Sequence, residues 1–234
     1  MRGARFPTGE ERADAASLET AQRLSRTLAS VLHPGTPSSP GTPSSPGTPS
    51  SPGTPGSGVF GEGGTAFVAP GRAARETAVA LGLARVVVPE LAEPDYGSWR
   101  GLPYEEVVKA DPESFARWLA DPCAAPHGGE SHAEAADRVV RWVESLRETP
   151  PGELARPDAP SPEPGTSGRS GPGSGGRGWV VVCDVTVVRA VLGHALGVGP
   201  LVAARLDIAP LSLTQVSASR EGWRIGYVNR KATP

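Results

Sequence analysis

A tandem repeat limits this chain's fold more than any other feature: GTPSSP occurs three times, at 35–40, 41–46 and 47–52. A run of Pro, Gly, Ser and Thr has no apolar face to bury, so nothing offsets the entropy of ordering it. Disorder or partial polyproline-II is expected there. A second stretch of similar composition spans 149–178. The two cut the chain into an N-terminal helix block (1–33), a linker (34–58), a middle block (59–148), a second linker (149–178) and a C-terminal block (179–234). With 30 Gly and 26 Pro in 234 residues, the folding portion is smaller than the chain, yet large enough for one domain with a sizeable core. Pro37 and Pro40 have PxxP spacing, but no Arg or Lys flanks them to orient a docking groove, so a spacer is the plainer reading.

Outside the linkers, the spacing of apolar residues changes from block to block. Leu18, Ala21, Leu24, Leu28 and Val31 recur at helical steps, which predicts an amphipathic helix over about 13–32, stopped by Pro34. Thr65–Ala69 and Val86–Val88 read as short strands, with a helix over 71–82 between them closed by Gly82. Helices follow near 103–110 and 112–120. Ser131 and Glu134 form a capping box at the head of a longer helix, whose apolar face is Ala135, Val139, Trp142, Val143 and Leu146. Trp179–Cys183 is a continuous apolar run, expected to be a parallel strand buried on both faces. A helix over 185–197 and a hairpin from Leu211 to Val228, turning at Arg220-Glu221-Gly222, complete the pattern. Alternating strands and helices predict an α/β sandwich with a mostly parallel sheet and ligands at the strands' carboxyl ends.

A net charge of −2 argues against a nucleic-acid-binding or membrane-binding basic face. Among 23 basic residues only Lys109 and Lys231 are Lys; compositional bias explains this more simply than anion binding. Two cysteines, Cys123 and Cys183, make no disulfide framework, no signal peptide is readable and no run is long enough to cross a membrane. A cytoplasmic protein is expected. Cys183 and Arg189 have Cys-x5-Arg spacing after a strand, but Asp184 and the β-branched residues between them suit a phosphate cradle badly, and a small buried Cys is the better reading. His127 and His132 lack a standard metal spacing and are expected to be solvated. His194 is expected at the core's edge, and Trp99, Trp118 and Trp142 in the core. No metal or cofactor is expected.

Three stretches carry a family resemblance. They are Leu91-Ala92-Glu93-Pro94-Asp95-Tyr96-Gly97-Ser98-Trp99-Arg100-Gly101-Leu102; Trp118-Leu119-Ala120-Asp121-Pro122 with Gly128-Gly129-Glu130-Ser131 and Arg138; and Val180 to Arg189. Together they resemble the histidine phosphatase superfamily, the phosphoglycerate-mutase-like fold. The resemblance implies a three-layer sandwich whose mostly parallel sheet is flanked by helices, and a phosphomonoesterase or phosphomutase chemistry. In it a His of an Arg-His-Gly motif attacks phosphorus, further basic groups clamp the oxygens and a carboxylic acid protonates the leaving oxygen. Position by position, the Arg-His-Gly motif and the first central strand that carries it are absent, with Met1-Arg2-Gly3 a superficial echo. Ala73 stands at the second Arg, flanked by Arg72 and Arg75, and Asp184 stands at the second His, where a carboxylate would repel phosphate. Glu93 alone keeps its place, as the acid. Three readings follow: an impaired family member; an active phosphatase whose true start lies upstream; and a non-enzymatic binding protein using the repeats. An active form would act on a small phosphorylated molecule or a phosphoprotein, with no nucleic acid or membrane involved.

Overall fold

The computed structural model describes residues 4–32, 66–148 and 179–231. Both expected linkers, His33 and Met1-Arg2-Gly3 lie outside them. The described segments form α1 (Ala15–Leu32), β1 (Ala66–Val68), α2 (Arg72–Ala80), β2 (Arg85–Val87), α3 (Tyr104–Ala110), α4 (Pro112–Ala120), α5 (His132–Glu148), β3 (Val180–Val182), α6 (Val185–Leu196), α7 (Pro200–Ala203), β4 (Ser212–Ser219) and β5 (Gly222–Lys231). The α/β architecture is the one expected. Three parallel strands lie in the order β2-β1-β3, with Phe67 level with Val86 and Val181, while β4 and β5 pair antiparallel as a separate hairpin.

Alternation along β1 divides the core into two layers, because successive strand residues face opposite sides. Phe67 and Ala69 face α5 and α6, meeting Val139, Val143, Leu146 and Val187. The Phe67 ring sits edge-on to Trp142, with ring centres 5.2 Å apart. Ala66 faces the other way, onto Ala21 and Leu24 of α1 and onto Leu81 and Leu83 after α2. Val180, Val182, Leu211 and Leu213 pack on that same cluster. The sheet therefore carries helices on both faces.

One expectation about β3 is corrected. It is not buried on both faces: Val181 is 38% exposed and Trp179 40%. Among the described residues β3 pairs with β1 alone, so it is an outer strand of the three-stranded sheet they form, and an apolar run alone does not distinguish an outer strand from a central one.

Local signals elsewhere act as their chemistry requires. Ser131 Oγ accepts from the Glu134 N–H at 3.2 Å, and the Ser131 N–H donates to the Glu134 carboxylate at 2.8 Å, which closes the box at the head of α5. Gly197 ends α6 in the left-handed conformation (φ 67°). Gly222, at φ 124°, makes the hairpin turn in a region that residues with a side chain avoid.

One carboxylate ties the hairpin to two helices. Glu144 of α5 accepts from the Trp223 indole N–H of β5 at 2.6 Å, pairs with His194 of α6 at 2.7 Å and with Arg147 at 2.9 Å. His194 is thus an exposed surface partner of Glu144 on the outside of α6.

A third cluster lies off the sheet and is aromatic: Phe6, Tyr96, Trp99, Val107 and Trp118. Phe6 is fully buried among them, its ring centre 5.1 Å from Tyr96 and 4.3 Å from Tyr104. The backbone holds it there, because the Phe6 N–H donates to the Leu102 carbonyl and the Gly101 N–H to the Phe6 carbonyl, both at 3.0 Å.

Candidate functional site

The carboxyl ends of β1, β2 and β3 lead into the segments that carry the sequence-selected positions. After β2, one 3-10 turn (Pro89–Leu91) delivers Glu93, and a second (Gly97–Trp99) buries Trp99. Pro94 restricts the residue before it to extended backbone, so Glu93 has little local freedom. Its carboxyl is pushed up to about 7, first by burial and then by the negative charges of Asp184 and Glu11. Burial, then Tyr104 and the Glu93 and Asp184 carboxylates, push the Tyr96 hydroxyl up, and burial and Glu93 do so for Tyr104.

Asp184 follows β3 and begins α6. Its carboxylate accepts from the Thr186 N–H at 2.7 Å and the Val187 N–H at 3.3 Å, and from the Thr186 hydroxyl. This is an N-cap: one oxygen satisfies the helix's orphan donors, and the other, Oδ2, is buried with no hydrogen-bond partner among the described residues. The charge of Asp184 acts on the Glu93 carboxyl.

Ala73 lies in the first turn of α2, partly buried. Of its basic neighbours, Arg75 is exposed, whereas Arg72 is bound to Glu76 one turn on at 2.9 Å. Glu76 also accepts from the Ala13 N–H at 3.0 Å and lies 4.0 Å from Arg12, so through its Nε Arg72 is joined to a carboxylate that ties α2 to the N-terminal segment.

Glu11 is a site residue that sequence reading did not select. The Thr8 and Gly9 N–H groups, each at 2.9 Å, and the Thr8 hydroxyl fold the 8–11 turn around its carboxylate, and the Gly9 carbonyl accepts from the Arg72 N–H at 2.9 Å. Nothing periodic marks this turn in the sequence.

The loop after α4 closes the site's other flank, and here a second expectation is corrected. His127 is not solvated but 3% exposed, with its ring 5.0 Å from that of Trp99 and 5.9 Å from that of Tyr96. Its Nδ1 accepts from the Gly129 N–H at 3.1 Å, which leaves the ring proton on Nε2, buried and without a hydrogen-bond partner among the described residues. Burial holds it below the usual histidine range. His132 is likewise not simply solvated: it packs on Trp118, ring centres 4.8 Å apart, and burial lowers its pKa too.

The 95–98 and 127–130 segments touch through main chain. The Ser98 N–H donates to the His127 carbonyl at 2.9 Å, and the Glu130 N–H to the Asp95 carbonyl at 2.7 Å. A Cβ on Gly97 would collide with the His127 carbonyl, and one on Gly129 with the Asp95 carbonyl.

The Cys-x5-Arg pair forms no cradle. Arg189 donates through Nε and Nη2 to the Leu206 carbonyl, at 3.0 and 2.8 Å, and burial raises the Cys183 thiol far above its ordinary value, which keeps it unreactive. Among the described residues, no three His, Cys, Asp or Glu side chains converge in a metal-binding arrangement, and no helix is long and apolar enough to cross a membrane.

Residues 64–155 match the sequence model of the histidine phosphatase superfamily (branch 1), and over this segment the chain is a member of that superfamily. A bifunctional protein of Mycobacterium tuberculosis is 34% identical over 164 residues, covering 67% of this chain and 38% of that protein. The chain spans 38% of the length of the first curated relatives it matches. A glucosyl-3-phosphoglycerate phosphatase of Mycolicibacterium vanbaalenii is 39% identical over 79 residues, covering 32% of this chain and 35% of that protein. In shape, the chain superposes on a mycobacterial glucosyl-3-phosphoglycerate phosphatase with a TM-score of 0.64 at 20% identity, covering 98% of this chain and 92% of that one, which establishes the fold.

Proposed function

We infer that this chain is a histidine-phosphatase-family domain whose phosphoryl chemistry is impaired, with a cytoplasmic location and a small phosphorylated molecule or a phosphoprotein as its ancestral class of substrate. One observation carries the reading: the charged groups that act on Glu93 are Asp184 and Glu11, both acidic. A phosphate dianion needs cations around its oxygens, and carboxylates repel it. Ala73 offers no charge, and the neighbouring Arg72 is held by Glu76. No Arg-His-Gly motif occurs in the given sequence, and loss of one such group costs several orders of magnitude in rate. The test is a chromogenic phosphomonoester assay on the purified full chain. Release no faster than from Glu93→Gln is expected; turnover that Glu93→Gln abolishes overturns the reading.

A second reading has one observation in its favour. Among the described residues β3 has no strand on its outer side, the β4–β5 hairpin is separate, and residues of both pack on one apolar cluster. A further strand between them would satisfy the open backbone groups. An active phosphatase would use such a strand to bring Arg-His-Gly. This requires an apolar run ending in Arg-His-Gly in the reading frame before Met1, and sequencing that frame decides it. Asp184 and Ala73 remain within the chain in either case.

A further inference from the structure

The acid of the site stands between two residues whose backbone is gripped by one ion pair. Arg138, one and a half turns into α5, makes a two-pronged contact with Glu130: Nε to Oε1 at 2.8 Å and Nη2 to Oε2 at 2.7 Å. Its remaining nitrogen, Nη1, donates to the carbonyls of Glu90 at 2.6 Å and Ala92 at 3.2 Å. Glu130 grips the other side: Oε2 accepts from the Asp95 N–H at 3.1 Å, and its own N–H donates to the Asp95 carbonyl at 2.7 Å. The pair is mostly sheltered, with side chains 19% and 27% exposed. Between the gripped residues Ala92 and Asp95 lie only Glu93 and Pro94. Pro94 has a fixed φ and limits the residue before it, so holding both ends of this short span sets where the Glu93 side chain goes.

We propose that Glu130 and Arg138 are positioning residues for the site's acid: by holding the Ala92 carbonyl and the Asp95 N–H, they keep the Glu93 carboxyl in its half-buried place beside Asp184 and Glu11. A planar guanidinium is suited to this, because it serves a carboxylate and two carbonyls at once, whereas an ammonium serves them as a point charge. The proposal rests on Glu93 as the acid of the site. It does not depend on turnover, so it stands or falls apart from the reading of impaired chemistry.

The test is the titration of the Glu93 carboxyl by ¹³C NMR in the full chain. The groups acting on it are Asp184 and Glu11, with Tyr96 and Tyr104 coupled to it. In Arg138→Lys the charge stays and the fork is lost. If the pair positions Glu93, the loop relaxes toward water and the midpoint falls by about one pH unit. Arg138→Gln sharpens the choice through its sign: removing a cation by charge alone raises the midpoint, whereas losing the grip lowers it. Glu144→Gln, far along α5, serves as a control that weakens the fold without moving the Glu93 midpoint. An unchanged midpoint in Arg138→Lys, or a raised one in Arg138→Gln, overturns the proposal. Should Arg138→Lys fail to fold, Glu130→Asp, which keeps both charges and shortens the arm to Asp95, is read in the same way.

Discussion

Two glutamates with the same ordinary value, 4.5, are displaced in opposite directions by their surroundings: Glu93 to about 7 and Glu144 to about 2. At Glu144, hydrogen bonds from Trp223, then His194, then Arg147 stabilise the charged form. At Glu93, burial comes first and the neighbouring charges are acidic. Donors around a carboxylate turn it into a fastening, whereas two further acids beside it make the site a place where charge is expelled. Glu144 of α5 thus holds α5, α6 and β5 together, and the site region is held by other means, namely the Phe6 cluster, main-chain contacts and the Arg138 grip.

The largest expected effect tests whether the aromatic cluster holds the site region. Phe6→Ala empties a fully buried position and should cost about 3–5 kcal/mol in urea unfolding, with loss of the loop's near-ultraviolet signal; a cost below about 1 kcal/mol would break the contrast. Next is Glu144→Gln, expected to cost about 2 kcal/mol at pH 7 and to loosen the hairpin first in hydrogen exchange. Because Glu144 lies below its ordinary value, its contribution is fully present above pH 4.5 and is lost as pH falls toward 2. Glu93 carries the opposite sign. Its folded value lies above the unfolded one, so stability is fully present below pH 4.5 and is lost as pH rises through 7. Glu93→Gln should therefore raise the thermal midpoint at pH 8.5 by about 1 kcal/mol equivalent, after allowance for partial contact with solvent, and change nothing at pH 4. An equal gain at both pH values would refute it. The smallest effect belongs to Arg147→Ala. Arg147 lies over the Trp223 ring at 5.6 Å and pairs with Glu144 at a half-exposed place, so about 0.5 kcal/mol is expected, visible mainly as a small change in Trp fluorescence.

The parts of this fold that were legible in the sequence are those with local causes. The capping box of Ser131 and Glu134, the glycine turn of the hairpin and the alternating strands and helices depend on neighbours within a few residues. Asp184 carried a local signal as well: an Asp ahead of a helical run is a favoured cap, although the resemblance drew attention to its charge instead. What escaped depends on distant partners. The burial of His127 is set by Tyr96 and Trp99, some thirty residues away. Phe6 sits in a stretch without periodicity and is placed by backbone bonds to 101–102. Whether β3 lies inside or at the border of a sheet is a matter of topology, which a three-residue apolar run does not encode.

The meeting of the 95–98 and 127–130 loops has a consequence for folding. Its fit depends on Gly97 and Gly129 having no side chain and on carbonyls and N–H groups that every residue possesses. Exchanges at positions 73, 93 or 184 leave that seam standing. The joint therefore constrains folding independently of the chemistry, which has to be established from the residues around it.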